Sequence, residues 1–345
     1  MKTRNGQLIM TACRKPEGYR KPGMVLIAVV AMLTMTRFSL AQSCTTANDM
    51  DDATRSAITS AAKRYFDFVS RGDSAGLRQN AIPSLASDFS GIENAIKDSQ
   101  PNLGGKQGSP RLPYLLKVEG TAPVERAEFL CGVFGSQGQT SNSAVFVIPN
   151  LPPGSYAIDT VDASTDKGPQ TVSFVLQQAG NDWKLGGLYI KPAQVSGHDG
   201  NWFADQARAY KSKGQTHNAW FYFLQARELL VPVPFMSTKI TDKLYDEAES
   251  VKPADLTFDL VAGTKTYKVT QIFPLVVGND LDLVVKYQSA DVSNTGQAFQ
   301  DNMAVMKALV AKYPEFREAF AGVVARAVEP SGKDYGSLLP MKDIK

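Results

Sequence analysis

Alternation of apolar and polar residues is strongest between residues 143 and 192, and it predicts four consecutive β-strands there. Within this stretch Val172, Phe174 and Leu176 are spaced two apart, as on one face of a strand. A Gly-Asn-Asp turn at 180–182 follows, and a further apolar stretch runs back to residue 190. A period of two interrupted by turn residues is typical of a hairpin.

The residues around this stretch predict an α+β protein. Apolar positions three and four apart indicate a helix over 52–70 and another over 84–96, with Gly72 ending the first and Asp73 capping a short helix after it. The Gly- and Pro-rich segment 101–113 reads as a loop. Helices followed by a run of antiparallel strands define the α+β class. The predicted strands are 114–120, 126–134, 143–149, 155–163, 170–178 and 183–191.

Two segments of this part resemble the nuclear transport factor 2 superfamily, which includes ketosteroid isomerase and SnoaL-like proteins. They are RYFDFVSRGDSAGLRQN (64–80), a helix followed by a Gly-Asp turn and a second short helix, and GNDWKLGGLYI (180–190), a Trp-led last strand. The resemblance implies a cone-shaped domain over residues 45–195, in which a curved sheet wraps a helix and leaves a pocket at its mouth. That fold hosts isomerases, dehydratases and non-catalytic proteins, so it does not decide the function.

The middle segment, 196–252, is predicted to be a helical hairpin. Residues 201–233 resemble one tetratricopeptide repeat, with Ala207, Tyr210, Gly214 and Ala219 at that family's spacing. A single repeat cannot form a binding groove, so the hairpin is expected to pack between domains. His198 and His217 are both expected on the surface. A further short helix is predicted over 239–250.

The C-terminal segment, 253–345, predicts a second small α+β domain that resembles no family known to us. Strands are expected over 256–261, 266–273, 281–287, 320–328 and 335–341. Between the third and the fourth, Phe299, Met303, Met306, Leu309 and Val310 are spaced as on one helix face, and Pro314 ends that helix.

The N-terminus has the pattern of an export signal. Residues 24–36 form an apolar run that is preceded by basic residues and is too short to span a bilayer. Ser39 and Ala41 place small residues at the positions required for cleavage after Ala41. The segment 1–41 is therefore predicted to be a signal peptide, which leaves no transmembrane span and a periplasmic or secreted protein. An uncleaved anchor and a lipoprotein acylated at Cys44 are the alternatives.

Charge and cysteine content argue against several classes of function. The 345-residue chain has a formal charge of +3, but residues 1–43 carry seven basic residues and one acidic residue, so the remainder is mildly acidic. This balance argues against nucleic-acid binding. Cys44 and Cys131 form a disulfide in one interpretation, and Cys131 is a buried free thiol in the other. No Cys/His cluster suits a metal, and Asp280 with Asp282 reads as a hairpin turn rather than a calcium loop.

Catalytic candidates in the first domain are few. An isomerase would need a carboxylate base and a neutral donor, and Glu128, Tyr156, Asp159 and Asp162 are the available residues. Tyr156 and Asp162 share a strand face and form the weak catalytic pair. The alternative, a packed tyrosine and an aspartate that begins a turn, is preferred.

These observations favour an exported, non-catalytic protein of the bacterial envelope that serves as a small-ligand binding or scaffolding module, without a cofactor or metal. Its expected partner is a small apolar ligand or another envelope protein. The alternative is an isomerase or dehydratase that uses the cone pocket. Phe174, Leu176, Trp183 and Leu185 are expected to line the pocket. A tight interior would favour binding or structure, and a roomy one with Asp162 and Tyr156 inside would favour catalysis.

Overall fold

The computed structural model describes residues 42–133, 140 and 143–345, and these residues belong to one compact α+β unit. The predicted signal peptide, residues 1–41, lies outside the described residues. Within the described ranges, no helix is both long enough and apolar enough to cross a membrane.

Helices and strands alternate in blocks along the described chain. The helices are α1 (Asp52–Arg71), α2 (Ser74–Gln79), α3 (Pro83–Ser87), α4 (Ser90–Leu103), α5 (Gly200–Ser212), α6 (Thr216–Leu230), α7 (Lys239–Glu249), α8 (Thr295–Lys312) and α9 (Phe316–Ala319). The strands are β1 (Gln42–Thr46), β2 (Gly108–Pro110), β3 (Tyr114–Val118), β4 (Val124–Cys131), β5 (Ala144–Leu151), β6 (Gly154–Ala163), β7 (Gln170–Ala179), β8 (Asp182–Pro192), β9 (Met236–Thr238), β10 (Phe258–Ala262), β11 (Lys265–Val277), β12 (Asp280–Gln288), β13 (Gly322–Val328) and β14 (Asp334–Pro340).

The first sheet has the order β1-β3-β6-β7-β8, with the short β2 also pairing with β6, and α1 packs on it. The Asp51 side chain accepts a hydrogen bond from Thr54 N–H and caps the start of α1. Gly72, with φ of 70°, ends the helix in the left-handed conformation that glycine adopts without strain. Ile58, Tyr65 and Phe66 of α1 are fully buried against the strands.

The four strands predicted between residues 143 and 192 are all present, but they do not form one meander. Only β6, β7 and β8 pair in succession, whereas β5 pairs with β4 and β9 in a separate three-stranded sheet. The chain changes sheets at Pro152 and Pro153, which have no N–H groups to continue a ladder. Gly154 then begins β6 with φ of 153°.

Two helix predictions need correction. The helix expected over 84–96 is two helices, α3 and α4, because the chain turns between them at Phe89, which is buried. In α8, Phe299 is 39% exposed, although it was expected on the buried face. That face instead includes Asn302, which accepts a hydrogen bond from the Tyr287 hydroxyl at 2.8 Å.

The third sheet, β10-β11-β12-β13-β14, is antiparallel except for the parallel pair β12 and β13, which α8 connects. Its hydrophobic core is shared with the helical hairpin. Phe203 of α5 and Phe221 of α6 belong to the same buried cluster as Leu283 and Val323 of the sheet. The hairpin therefore packs on the C-terminal strands.

Cys44 on β1 and Cys131 on β4 form a disulfide, with their Cα atoms 5.1 Å apart. The alternative interpretation, in which Cys131 is a buried free thiol, is therefore wrong. The bond joins the six-stranded sheet to the three-stranded sheet across 87 positions of sequence.

We expect the variant in which Cys44 and Cys131 are both alanine to lose about 2–4 kcal/mol of unfolding free energy, because the cross-link restricts the unfolded chain. Urea unfolding with and without a reductant measures this. The reductant should lower the midpoint of the parent protein to that of the variant and should leave the variant unchanged. Equal midpoints for oxidised parent and variant would contradict the expectation.

Candidate functional site

The predicted pair Tyr156 and Asp162 does not form a site. The Tyr156 hydroxyl donates a hydrogen bond to the carbonyl oxygen of Pro152 at 2.8 Å. Asp162 accepts two hydrogen bonds of 2.7 Å each from the guanidinium of Arg111, and its side chain is 45% exposed. The two residues lie near opposite ends of β6, about 20 Å apart at the rise of a strand. Glu128 is exposed on β4 of the three-stranded sheet.

The four residues expected to line a pocket lie in a packed core. Phe174, Leu176, Trp183 and Leu185 are all buried in the hydrophobic cluster between α1 and the six-stranded sheet. The Phe174 ring lies 6.1 Å from the ring of Tyr65, centroid to centroid. The Tyr65 hydroxyl donates to the carbonyl oxygen of Trp183 at 2.7 Å. These contacts are those of a structural core.

Asp159 is a buried polar residue whose position in this apolar core needs an explanation. It lies in the middle of β6, where the alternation of the strand places it on the same face as Ala157 and Val161. Both of these residues belong to the cluster beneath α1. Its partner on β7 is the fully buried Phe174. Only 1% of the surface of Asp159 is exposed.

The edge of β6 that pairs with β2 and β3 has a gap in its strand pairing opposite Asp159. β2 ends before Arg111 and β3 begins at Tyr114, so residues 111–113 pass beside Asp159 without forming a ladder. Arg111 N–H donates to the carbonyl oxygen of Thr160 at 2.7 Å, and Pro113 has no N–H to donate. Leu112 is 66% exposed.

The Asp159 carboxyl has no hydrogen-bond partner among the described residues for either oxygen. Burial raises its pKa from the usual 3.8 to about 7, because a carboxylate loses its hydration there. The N–H of Thr160 lies close enough to offset a small part of this effect, although its geometry falls short of a hydrogen bond. Near neutral pH the group therefore exists as both carboxylic acid and carboxylate.

A carboxyl group in this state can do two things. As a neutral acid it both donates and accepts a hydrogen bond, which suits an anchor for a ligand. As a group with a pKa near 7 it can also accept or release a proton at working pH. Proton-transfer chemistry further needs a donor that stabilises developing charge. Tyr65, the tyrosine of this cluster, already donates its hydroxyl proton to the backbone.

His217 is buried, which corrects the expectation that both histidines lie on the surface. It is 7% exposed, and its Nε2 lies 2.9 Å from Oδ1 of Asp255. The Tyr313 hydroxyl donates to Oδ2 of the same carboxylate at 2.5 Å. Partial burial raises the pKa of Asp255, but the hydrogen bond from Tyr313 and the interaction with His217 outweigh this and leave that pKa below its usual value. His198 is half-buried and stacks on Trp202 at 3.6 Å.

The Gly-Asn-Asp stretch at 278–280 is the turn between β11 and β12, as predicted. Asp282 is buried, and burial together with the nearby charge of Asp280 raises its pKa to about 6. The described ranges contain no group of three or more His, Cys, Asp or Glu side chains placed to hold a metal ion.

Comparison with known proteins gives no relative. The chain matches no family model, no curated protein and no solved structure.

Proposed function

We propose that the chain is an exported envelope protein that binds a small, mainly apolar ligand, with Asp159 as the polar anchor. Export is supported by the apolar run 24–36 and by the small residues before the predicted cleavage point. The disulfide between Cys44 and Cys131 suits an oxidising compartment.

The unpartnered carboxyl of Asp159 carries the binding proposal. A buried polar group without a hydrogen bond destabilises the fold, so its presence calls for an explanation such as a missing partner. A ligand with one carbonyl or hydroxyl group and an apolar body would supply that partner. Ala157 and Val161, which flank Asp159 on the same face of β6, would contact the apolar part.

The element order supports, as part of the proposal, a cone of the nuclear transport factor 2 type over residues 45–195. Helices come first, and α1 packs on β6, β7 and β8 of the antiparallel sheet that follows. In such a cone the face of the sheet beneath the helix faces the ligand, and Asp159 lies on that face.

The test compares 1-tetralone with tetralin, a hydrocarbon of similar shape that lacks the carbonyl oxygen. Near pH 6 the parent protein should bind the ketone more tightly, by about tenfold, because the protonated carboxyl donates a hydrogen bond to it. Asp159→Leu should remove the preference, and Asp159→Asn should retain part of it through the amide N–H. Asp162→Asn is the matched control and should change nothing. Equal binding of both compounds by the parent protein would refute the anchor role.

An isomerase or dehydratase is the second candidate, and the raised pKa of Asp159 is the observation that favours it. A carboxylate base with this pKa could move a proton near a carbonyl group of a substrate. The same variants separate the two functions. Asp159→Asn should preserve binding by an anchor, but it should abolish turnover by a base.

We expect the protein to be cleaved after Ala41 when it is produced in a bacterial host, because the apolar run is too short for a stable span. Intact-mass measurement tests this. A mature mass that begins at Gln42 would support export. A chain that retains residues 24–41 would contradict it, and a lipid adduct on Cys44 would establish the lipoprotein alternative.

A further inference from the structure

A cleft of about 410 Å³ opens between α6, the segment 231–236 and β11. Its lining residues are remote in sequence from Asp159. Its size is within the range of small-molecule sites. Its lining combines the apolar residues Pro234, Met236 and Phe273 with the polar residues Gln225, Arg227 and Glu228.

Arg227 supplies a positioned cation without an anion. Its Nε donates to the carbonyl oxygen of Thr241 at 3.1 Å, and its guanidinium lies 4.9 Å from the ring centroid of Tyr245. Among the described residues, no carboxylate forms an ion pair with it, and its two terminal nitrogens donate to none of them. The side chain is therefore held in place with its outer edge available.

Gln225 adds a second unpartnered group. The residue is only 5% exposed, yet its side-chain amide makes no hydrogen bond to a described residue. It belongs to the lining of the cleft. The amide atoms are not enclosed by protein, so they reach the solvent of the cleft and can hydrogen-bond to a bound ligand.

Glu228 does not cancel the charge of Arg227. Its carboxylate lies 2.9 Å from Nζ of Lys191, which also donates to the carbonyl oxygen of Val231 at 2.7 Å. This pair is neutral overall. With Glu228 neutralised by Lys191, Arg227 leaves the lining of the cleft with a net positive charge. Lys286 adds to it from behind the wall, where its Nζ lies 5.5 Å from the ring centroid of Phe273.

We propose that this cleft binds a small carboxylate with an apolar body. Arginine holds a carboxylate through two parallel hydrogen bonds, a geometry that is stronger than a neutral hydrogen bond. The Gln225 amide would donate to or accept from the same head group, and Pro234, Met236 and Phe273 would contact the apolar body. The site is independent of Asp159 and does not rest on the function proposed above.

The test uses octanoate and octanol, which share an apolar chain and differ in charge. Isothermal titration calorimetry of the purified protein should show octanoate binding more tightly than octanol. Arg227→Gln should weaken octanoate binding by about tenfold to a hundredfold, the range expected for one charge-assisted contact, and should leave octanol unaffected. Arg64→Gln is the matched control, because Arg64 also lies over a tyrosine ring but on α1.

Two further variants keep the proposal open to refutation if Arg227→Gln unfolds. Arg227→Lys keeps the charge without the two-nitrogen geometry and should give intermediate affinity. Gln225→Leu should weaken octanoate less than Arg227→Gln does. The proposal is overturned if the parent protein binds neither compound, binds both equally, or if a folded Arg227 variant retains the parent affinity for octanoate.

Discussion

Replacing Asp159 with asparagine should remove much of the loss of stability that we expect for the protein between about pH 4 and about pH 8. The parent protein should lose on the order of 4 kcal/mol of unfolding free energy over this range through Asp159 alone, given a folded-state pKa of about 7 and an ordinary value of 3.8. The amide of asparagine does not titrate, so the variant should lack this component.

The sign follows from proton binding. Below the unfolded-state pKa both states hold the proton, and the full stability is present. As the pH rises, the unfolded chain releases the proton first, because burial holds it on the folded protein. The folded state then binds more protons than the unfolded state, so stability falls until the pH passes the folded-state pKa.

Urea unfolding at several pH values measures the effect as a difference between variant and parent. Asp282, whose pKa burial raises to about 6, contributes in the same direction to both proteins and cancels. Asp162→Asn is the control, because that carboxylate is half-exposed and paired with Arg111. Parallel curves for the parent protein and Asp159→Asn would show that Asp159 is hydrated or partnered in solution.

Trp183→Ala should reduce the unfolding free energy by about 3–5 kcal/mol, because it removes a large ring from a packed core and leaves a cavity. Trp183 is 5% exposed and packs in the cluster beneath α1. The hydrogen bond from Tyr65 reaches the backbone of Trp183, so it survives the substitution and the loss reports on packing.

Chemical unfolding monitored by far-UV circular dichroism is the measurement. Trp183→Phe retains a ring and should cost less than Trp183→Ala. Trp202→Ala is the second control, because Trp202 is only half-buried at the edge of the other large cluster. A loss for Trp183→Ala no larger than that for Trp202→Ala would mean that the ring does not fill the core, and would favour a real pocket at that position.

Local sequence patterns were sufficient to predict most elements. The alternation of Val172, Phe174 and Leu176 predicts β7 because residues on one strand face share one environment. The Gly72-Asp73 turn likewise predicts the end of α1 and the start of α2, since these residues satisfy backbone groups within one turn of the chain.

Sheet membership was not predictable in this way. β5 has the same alternation as β6, but it pairs with β4 and β9, and β9 lies far along the chain. Likewise, the sequence of the helical hairpin shows which of its residues are apolar, but it does not show that they pack on β12 and β13. Pairing and packing depend on groups that are distant in sequence, and no short window contains both partners.

The candidate sites also depend partly on local sequence patterns and partly on contacts between distant segments. The period of two was enough to place Asp159 on the same strand face as Ala157 and Val161, but only the packing of α1 makes that face a dry core that raises the pKa. His217 looked like a surface residue near a helix start, and Asp255 and Tyr313 from distant segments enclose it. Arg227 belongs to no sequence motif, so the sequence did not indicate a binding role for it.

The sequence by itself determined the α+β class, most element boundaries and the segment predicted for export, because these depend on neighbouring residues and on composition. The tertiary structure alone decided which strands share a sheet, which carboxyl loses its water and which arginine lacks an anion. Those properties are differences in solvation and charge pairing, and they arise only when distant segments exclude water from the same volume.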